Sequence, residues 1–581
     1  MPFFKLKILL LSLLTQLLPL LPGLAQEGPE PLYVHLDKPF YTSGETMWYK
    51  VYLLQPAGSS LSQVVYVDLV GPGNKVVMQQ KLKVESGQAH GDFTLPLDVE
   101  EGPYAFRSYT RWNLNFDPQY SFSQPVPVYN EWKKREAPAL PPLAEAAPAT
   151  PAETPAPAAV GELRLKLTTD KPVYGRNEPV TRTLQATDGS GRPVKAQLSV
   201  SVMDQTLTGG AAGAAPAGMA ERQKEVQALP PGPVQAGLPY APEKGLVLRG
   251  RIPGPQLPDF GSTMFAVFTP AGYHFITTQL VENRLEAPLP DFYSAKIIHL
   301  HSLSPGAGAI PPVEGENLGA LLPAPTLTRL PERPPLLEEY LYQSRLRRKF
   351  SEVFREEEEP AAMPPADVAQ VLPGLKADKT FHMQDYKSLK DVEDFLRAFG
   401  FKTTFVEENG ANSLRLYSPD AKVSFREKPW YMVDGYLIRD ERLVLQIPMK
   451  NLKRVELFYK RKTLLGQFEP SMLRSGVVAL YTNDKELLLP VLARLSNLTA
   501  QGYHQPRTFD GPQPAGQPGR APDFRPLLYW HPTLRTDPAS PTTVTFPTAD
   551  AITEYRVRVE GLSESGQAVS GSTTFKVSFG N

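Results

Sequence analysis

Two short stretches of this chain carry the same set of side chains that could perform acid–base chemistry. The first contains Asp37, Lys38, Pro39, Tyr41 and Glu45, and the second contains Asp170, Lys171, Pro172, Tyr174 and Glu178. Both follow the pattern D-K-P-x-Y-x-x-x-E, and the second begins 133 residues after the first (170 − 37). Two carboxylates such as Asp37 and Glu45 could act as a general acid and a general base. Neither copy has a nucleophile or a set of metal ligands beside it in the sequence.

The residue types of this motif also fit a structural role. Proline has a fixed φ and no N–H, so it belongs at a strand break or a sheet edge. The lysine before it is pushed toward extended geometry, and the tyrosine combines a large apolar ring with a polar tip. We therefore interpret the motif as a corner between two strands rather than as a catalytic pair.

Alternating apolar residues surround both copies of the motif. Leu32, Val34 and Leu36 precede the first copy, and Leu163 and Leu165 precede the second. A period of two indicates β-strands, and repetition at a domain-sized spacing predicts tandem modules of one type. The predicted fold class is mainly β and multi-domain, with tandem β-sandwiches and a smaller α/β domain.

Other candidate chemistry is sparse. His299 and His301 share one face of a predicted strand and could bind a metal, but no third ligand is evident. The chain has no cysteine, which excludes disulfides, thiolate metal sites and cysteine nucleophiles. It also has no G-x-S-x-G elbow and no Walker-type phosphate loop. We therefore predict no catalytic, cofactor-binding or metal-binding residues, and we expect a protein that is not an enzyme and uses no cofactor.

The first 25 residues resemble a secretory signal. Lys5 and Lys7 precede an apolar stretch, and small residues end at Ala25. No later segment is apolar enough to span a bilayer. Export without cysteine favours the periplasm or an outer-membrane association in a Gram-negative bacterium. With 61 basic and 61 acidic residues the chain has no net charge, so nucleic acid is not an expected partner. We expect envelope proteins as partners, and we leave peripheral membrane association open.

The chain divides into nine predicted segments, and the way in which the second module is completed is left open. The segments are a signal peptide (1–25), a β-sandwich (26–135), a Pro/Ala linker (136–160), a partial second module with a Pro/Gly-rich insert (161–243), a further β-sandwich (244–303), loops and a helix (304–379), an α/β domain (380–490), a loop (491–522) and a C-terminal β segment (523–581). Within them, Met264–Thr269 and Val477–Thr482 are predicted strands. Ser388 and Asp391 predict a capping box at the start of a helix.

Three of these segments resemble known families. The phrase Tyr33-Val34-His35-Leu36-Asp37-Lys38-Pro39 resembles the opening of the macroglobulin-type β-sandwiches found in alpha-macroglobulins and their bacterial relatives. Segment 244–303, with Leu289-Pro290-Asp291-Phe292-Tyr293, is similar to the regulatory-like sandwich of carboxypeptidases. Segment 380–490 resembles the plug domain of TonB-dependent receptors, on phrases that include Val433, Asp434, Gly435, Val455, Glu456 and Gly476. The usual residues before its last strand are replaced by Leu473-Arg474-Ser475.

These resemblances imply binding more than catalysis. Alpha-macroglobulins trap proteases, many with a thioester that needs a cysteine, which this chain lacks. About ninety residues follow the plug-like segment, too few for a receptor barrel of about 22 strands. We therefore expect a non-enzymatic, exported cell-envelope protein that serves as a protein-binding or scaffolding module, associated with outer-membrane receptor or transport systems. The alternative is an alpha-macroglobulin-like endopeptidase inhibitor without a thioester.

Overall fold

The computed structural model describes most of the chain outside its N-terminus and several connecting segments. The described residues are 28–55, 60–132, 163–205, 218–254 (without 231 and 235–237), 264–269, 274–302, 313–354 (without 328–329 and 331–334), 376–483 (without 387, 399–402, 409–410, 439 and 469–472), 486, 496–511, 523 and 525–579. The predicted signal peptide (1–25) and Pro/Ala linker (136–160) lie outside them. The chain forms two compact units, one of 1–244, 319–348 and 506–581, the other of 245–318 and 349–505.

The first unit begins with a β-sandwich, here called module 1. Its strands are β1 (Leu32–Leu36), β2 (Tyr41–Thr42), β3 (Thr46–Leu53), β4 (Val64–Gly71), β5 (Lys75–Lys83), β6 (Gln88–Thr94), β7 (Gly102–Tyr109) and β8 (Phe122–Tyr129). They form a three-stranded sheet, β1-β3-β6, and a five-stranded sheet, β2-β8-β7-β4-β5. Alternate side chains such as Tyr49, Val51, Val67 and Phe106 point between the sheets and are fully buried.

A second sandwich of the same unit, module 2, is built from two distant parts of the chain. Its strands are β9 (Arg164–Thr169), β10 (Val173–Tyr174), β11 (Pro179–Thr187), β12 (Ala196–Asp204), β28 (Leu527–Arg535), β29 (Thr542–Pro547), β30 (Glu554–Ser563) and β31 (Ala568–Val577). The sequence places these strands in two separate segments, 161–243 and 523–581. In the structure they share one core, which includes Val180, Val200, Phe546 and Val559.

The two modules have the same topology. Module 2 has a three-stranded sheet, β9-β11-β29, and a five-stranded sheet, β10-β31-β30-β12-β28, which repeat the strand order of module 1. The fourth and fifth strands of module 1 are joined by the short turn Pro72–Asn74. In module 2 the same connection holds residues 205–526. Module 2 is therefore a complete sandwich with a long insertion at one turn, and the predicted mainly β, multi-domain sandwich fold is confirmed.

Two helices pack on the sandwiches of the first unit. Helix α1 (Met219–Gln227) places Met219 and Val226 in the core of module 1. Helix α2 (Pro335–Phe354) lies in the segment predicted to contain loops and a helix (304–379), and its residues Leu337 and Leu341 are buried against module 1. Within the described residues, no helix combines the length and the apolar composition needed to cross a bilayer.

The second unit contains a seven-stranded sheet. Its strands are β13 (Val247–Arg251), β14 (Met264–Thr269), β15 (His274–Val281), β16 (Arg284–Pro288), β17 (Ala295–Ser302), β18 (Glu314–Gly315) and β27 (Ser496–Gln501), in the order β18-β13-β16-β15-β14-β17-β27. Strand β27 falls where the sequence predicts a loop (491–522). It forms a strand because it pairs along β17 and buries Leu498 and Ala500.

The second unit also contains a smaller α/β domain. Its main sheet has the order β19-β25-β26-β23-β24, and a hairpin with a short third strand lies in the order β20-β21-β22. The strands are β19 (Lys379–His382), β20 (Thr403–Glu408), β21 (Ala411–Ser418), β22 (Val423–Ser424), β23 (Trp430–Val433), β24 (Tyr436–Ile438), β25 (Leu452–Phe458) and β26 (Val477–Thr482), and the helices are α3 (Val392–Ala398), α4 (Glu441–Leu445) and α5 (Arg461–Gln467).

The capping box predicted at Ser388 is wrong in detail. Helix α3 begins at Val392, and Asp391 caps it, because its Oδ1 accepts the backbone N–H of Asp394 (3.0 Å). Asp391 also forms an isolated β-bridge with Pro448, which keeps the residues before the helix extended. The aspartate predicted at the third helical position therefore serves as the N-cap itself.

Candidate protein-interaction site

The motif of module 1 closes the corner between β1 and β3 with buried hydrogen bonds. Tyr41 donates its hydroxyl to Asp37 Oδ1 (2.6 Å), and the same oxygen accepts the backbone N–H of Trp48 (2.9 Å). Lys38 forms an ion pair with Glu45 Oε2 (2.8 Å). Pro39 lies between these pairs and needs no donor, so every polar side chain of the motif binds another part of the same corner.

The motif of module 2 repeats these contacts at the same spacing. Tyr174 donates to Asp170 Oδ1 (2.5 Å), which also accepts the backbone N–H of Thr181 (3.2 Å). Lys171 and Glu178 form an ion pair, and Pro172 accepts a backbone N–H from β31 at its carbonyl (3.1 Å). In both copies the carboxylates that could have done acid–base chemistry hold the corner together.

Exposure differs between the copies and reverses the pKa shift of the aspartate. Asp37 is 1% exposed, and burial raises its pKa to about 7. Asp170 is exposed. The little burial it has acts to raise its pKa, but the hydrogen bond from Tyr174 and those from backbone N–H groups outweigh that effect, so its pKa lies below the ordinary value. The same local geometry therefore contains a protonated acid in one module and an ionised one in the other at pH 6.

Helix α2 explains why the first copy is buried. Tyr340 on this helix donates to Glu45 Oε1 (2.6 Å), and its ring packs edge-on against Phe40 with centroids 5.4 Å apart. Arg348 pairs with the buried Glu131 (2.8 Å). The residue of module 2 that matches Phe40 is Val173, which is 46% exposed.

The two modules meet along a polar surface, here called the seam, formed by outward side chains of β1, β3, β12, β28 and β30. At its centre, His35 Nδ1 lies 2.6 Å from Ser199 Oγ, and His35 Nε2 lies 3.3 Å from Ser201 Oγ. Tyr52 also donates to Ser199 Oγ (2.8 Å). A serine beside an imidazole has the geometry of a nucleophile and its base. However, His35 and Ser199 are 0% exposed, so a substrate could not reach them.

Charged groups flank this imidazole within the seam. Arg558 binds Glu560 (2.9 Å) and Tyr33 (2.9 Å), so these three groups satisfy one another. Lys50 is 1% exposed, and its ammonium lies 4.5 Å from the centre of a tyrosine ring with no hydrogen-bond partner among the described residues. Burial holds the pKa of His35 well below its ordinary value, and Arg558 and Lys50 act in the same direction. The imidazole is therefore neutral and serves the seam as one donor and one acceptor.

A cleft lined by aromatic rings, here called the aromatic cleft, opens between the modules and shares Trp530 with the seam. Its volume is about 370 Å³, within the range of small-ligand pockets. Module 1 contributes Trp48, module 2 contributes Tyr529 and His531, and segment 506–511 contributes Phe509. The walls therefore come from three parts of the chain that are far apart in sequence.

The rings of the aromatic cleft are arranged in two groups. Trp48 and Phe509 meet edge-to-face with centroids 5.6 Å apart, and Tyr529 and His531 stack at 6.2 Å. Burial lowers the pKa of His531, so its imidazole is neutral at pH 7 and behaves as an aromatic wall. Tyr529 and His531 share a face of β28 because side chains two residues apart point the same way, and Trp530 points to the other face.

Segment 506–511 is held in place by one arginine. Arg507 binds Asp92 of β6 through its backbone N–H (3.0 Å) and its guanidinium (2.7 Å), and it also donates to Thr94 (2.7 Å). Asp92 is 3% exposed, so this pair is partly shielded from water. The contact fixes Phe509 beside Trp48 and makes the cleft preformed.

The first phrase of the plug-like segment, Val433-Asp434-Gly435, forms a strand end and the turn that follows it. Asp434 (φ 46°) and Gly435 (φ 85°) form the tight turn between β23 and β24, a left-handed conformation that favours these residue types. Asp434 Oδ1 accepts the backbone N–H of Thr482 (2.7 Å), and Val433 before it is fully buried.

The remaining plug-like residues stabilise the same sheet. Glu456 accepts the hydroxyl of Tyr481 (2.8 Å) and pairs with Arg454 (3.1 Å), while Val455 between them is fully buried. Gly476 has φ 76°, and a Cβ placed there would lie 2.8 Å from both a leucine methyl and a backbone carbonyl oxygen. These residues therefore position strands, and none of them lines the aromatic cleft.

The histidine pair considered as a metal site cannot be located at the level of its side chains. His299 and His301 lie on β17, and their side chains are outside the described residues. Among the side chains that the structure does describe, no group of three His, Asp or Glu residues is close enough to hold a metal ion.

Sequence reasoning missed the aromatic cleft. Its signal was the run Tyr529-Trp530-His531 together with Trp48, because large rings with polar tips are enriched in contact surfaces. No periodicity in the sequence places these segments next to one another.

Comparisons with known proteins give a distant likeness to bacterial alpha-2-macroglobulins. No family profile and no curated protein sequence matches the chain. Among solved structures, alpha-2-macroglobulin of Escherichia coli activated by porcine elastase is 12% identical, with 95% of this chain and 44% of that chain covered and a TM-score of 0.24. Salmonella alpha-2-macroglobulin reacted with methylamine is 10% identical, with 96% and 40% covered and a TM-score of 0.24. The chain thus spans less than half the length of these structures.

Proposed function

We propose that this protein is a non-enzymatic, exported component of a bacterial cell envelope that binds another protein. The observation that carries this proposal is the aromatic cleft, in which rings from both modules surround an open, preformed space. Aromatic residues are enriched where proteins bind one another, because they offer a large contact area at a low cost in conformational entropy. The acid–base pairs of the two motifs and the His35–Ser199 pair are used within the fold, which supports a binding role over a catalytic one.

The partner we propose is an envelope protein of the periplasm or outer membrane. The resemblance of segment 380–490 to receptor plug domains makes outer-membrane receptor or transport systems the first candidates. Crosslinking in intact cells followed by capture of the full chain tests this. We expect a crosslinked partner with the wild type and its loss with Phe509→Ala, which removes one cleft wall.

A matched control is Tyr342→Ala, because this tyrosine is 49% exposed on α2 and outside the cleft. Recovery of the monomer alone in several growth states would sink the proposal. Equal capture by wild type and Phe509→Ala would refute the cleft as the binding surface. The alternative, an endopeptidase inhibitor without a thioester, predicts that incubated proteases are retained and inhibited. Cleavage of the chain with full protease activity in solution would eliminate it.

A further inference from the structure

We propose that the aromatic cleft binds a proline-rich segment of the partner protein in the extended polyproline II conformation. This inference rests on the proposed function and names the chemical class of its ligand. Three features of the cleft support it: the arrangement of its rings, the balance of its hydrogen-bond donors and acceptors, and the state of the neighbouring sheet edge.

The rings form walls that suit flat, apolar proline rings. Polyproline II has three residues per turn and no internal hydrogen bonds, and it is recognised by aromatic-lined grooves. Trp48 with Phe509 and Tyr529 with His531 supply two such walls. Because Arg507 already fixes segment 506–511 to module 1, neither wall must be ordered when the ligand binds.

The polar groups of the cleft call for a ligand that accepts hydrogen bonds and has few to donate. The indole N–H groups of Trp48 and Trp530 have no acceptor among the described residues. Indole donates only. The guanidinium of Arg507 is already bound by Asp92 and Thr94, and His531 Nδ1 already accepts a backbone N–H from Thr533 (3.3 Å), so the two indole N–H groups are the donors offered to a ligand. A proline-rich segment keeps its carbonyl acceptors and lacks N–H groups at each proline, which matches this excess of donors.

Strand addition, the other common way to bind an extended peptide, is disfavoured here. Strand β28 ends its sheet and borders the cleft, so its outer edge is the nearest template for an added strand. Pro532 lies within β28, and the pairing with β12 shifts register between Leu198 and Val200 opposite it. A proline and a bulge are devices that protect edge strands from pairing. The cleft therefore suits a ligand held by rings and indole donors rather than by a backbone ladder.

Fluorescence anisotropy with labelled peptides tests the ligand class on the full chain. The probes are a proline-rich twelve-residue peptide and a β-forming peptide of alternating threonine and valine with the same charge. We expect saturable binding of the first and none of the second. Trp48→Phe, which keeps a ring and removes the N–H, should weaken binding about fivefold to tenfold, as expected for one lost hydrogen bond. The matched control is Trp132→Phe, because Trp132 is 45% exposed and outside the cleft. Unchanged thermal unfolding of each variant excludes misfolding as the cause.

Each contrary result has a distinct meaning. Equal or tighter binding of the β-forming peptide, or equal weakening by Trp48→Phe and Trp132→Phe, would overturn the proposal. A photo-crosslinker in place of Phe509 that labels a part of the same purified chain other than the residues that line the cleft would show that the chain itself fills the cleft, and would also overturn the proposal. If the proline-rich peptide does not bind up to millimolar concentration while cellular capture still requires Phe509, the ligand class is wrong and the proposed function stands. Loss of both results refutes both.

Discussion

The duplicated corner motif predicts opposite pH responses for two aspartates in the same local geometry. Burial raises the pKa of Asp37 from 3.8 to about 7, so between these values the folded chain holds a proton that the unfolded chain releases. Stability then falls as pH rises through this window, because the native state binds more protons there. From pH 5 to pH 8 the expected loss is about 2.5 kcal/mol. Asp37→Asn removes the ionisable group while its side-chain oxygen can still accept from Tyr41 and Trp48.

Hydrogen exchange of the full chain measures this locally, without assuming that several domains unfold together. After correction for intrinsic rates, peptides that cover β1–β3 should lose protection between pH 5 and 8 in the wild type relative to Asp37→Asn. The comparison with the variant removes the contribution of His35, which is present in both proteins. Asp170→Asn is the matched control: the pKa of Asp170 is below its ordinary value, so its effect on β9–β11 should be constant over this range. A difference between wild type and Asp37→Asn that does not change with pH would show that Asp37 takes up no extra proton on folding.

Three further predictions concern other contacts. The pKa of His35 is lowered, so the seam should lose stability as pH falls below about 6.5. After correction for intrinsic exchange rates, β12 should be less protected at pH 5 than at pH 7.5 in the wild type but not in His35→Gln; equal corrected protection at both pH values in the wild type would contradict this. Tyr340→Phe should destabilise the docking of α2 by about 1–2 kcal/mol, because the hydrogen bond to Glu45 is lost. Tyr342→Phe, on the exposed side of the helix, should cost less than about 0.5 kcal/mol. Equal hydrogen-exchange rates for α2 in the two variants would refute this. Gly476→Ala should destabilise the α/β domain by about 2–3 kcal/mol in urea unfolding followed by exchange, because the added Cβ clashes and the residue has a left-handed φ. The control is Gly191→Ala, where φ is 82° and the space is open, so backbone strain alone should cost about 1 kcal/mol. A larger loss of stability in Gly191→Ala than in Gly476→Ala would count against the clash.

Local elements were predictable because local patterns specify them. Met264–Thr269 and Val477–Thr482 have the ends that their sequence predicts, since each is a β-rich run bounded by turn residues. The corner motif was interpretable for a similar reason: proline, a short acid and a tyrosine within a few residues leave few conformations open. The capping aspartate of α3 shows the limit of this approach, because a bridge to Pro448 in another segment decided where the helix begins.

Pairing across the chain was not predictable from such patterns. Nothing in the periodicity of residues 523–581 says that they complete the sandwich begun at residue 163, and alternation cannot say which strand is the neighbour. A count of strands would have helped, since module 1 needs eight, the segment that carries the second copy of the motif supplies only four (β9–β12) before the insertion, and four remain at the end. The cleft was hidden for the same reason, because Trp48, Phe509 and Tyr529 meet only after module 2 has closed.

The long insertion between β12 and β28 determines when the aromatic cleft can form. If the insertion of about 320 residues were a flexible loop, closing it instead of a three-residue turn would cost about 4 kcal/mol. The insertion instead leaves β12 and re-enters at β28, where Asp204 donates its backbone N–H to the carbonyl of Pro526 (2.8 Å), so a folded insertion need only present two adjacent ends. Both the segment that carries Phe509 and the strand that carries Tyr529 belong to the chain as it returns from this insertion. Module 1 could therefore fold early, but the binding surface can form only after the insertion has been made and β28 has paired with β12, which couples the proposed binding activity to completion of the whole chain.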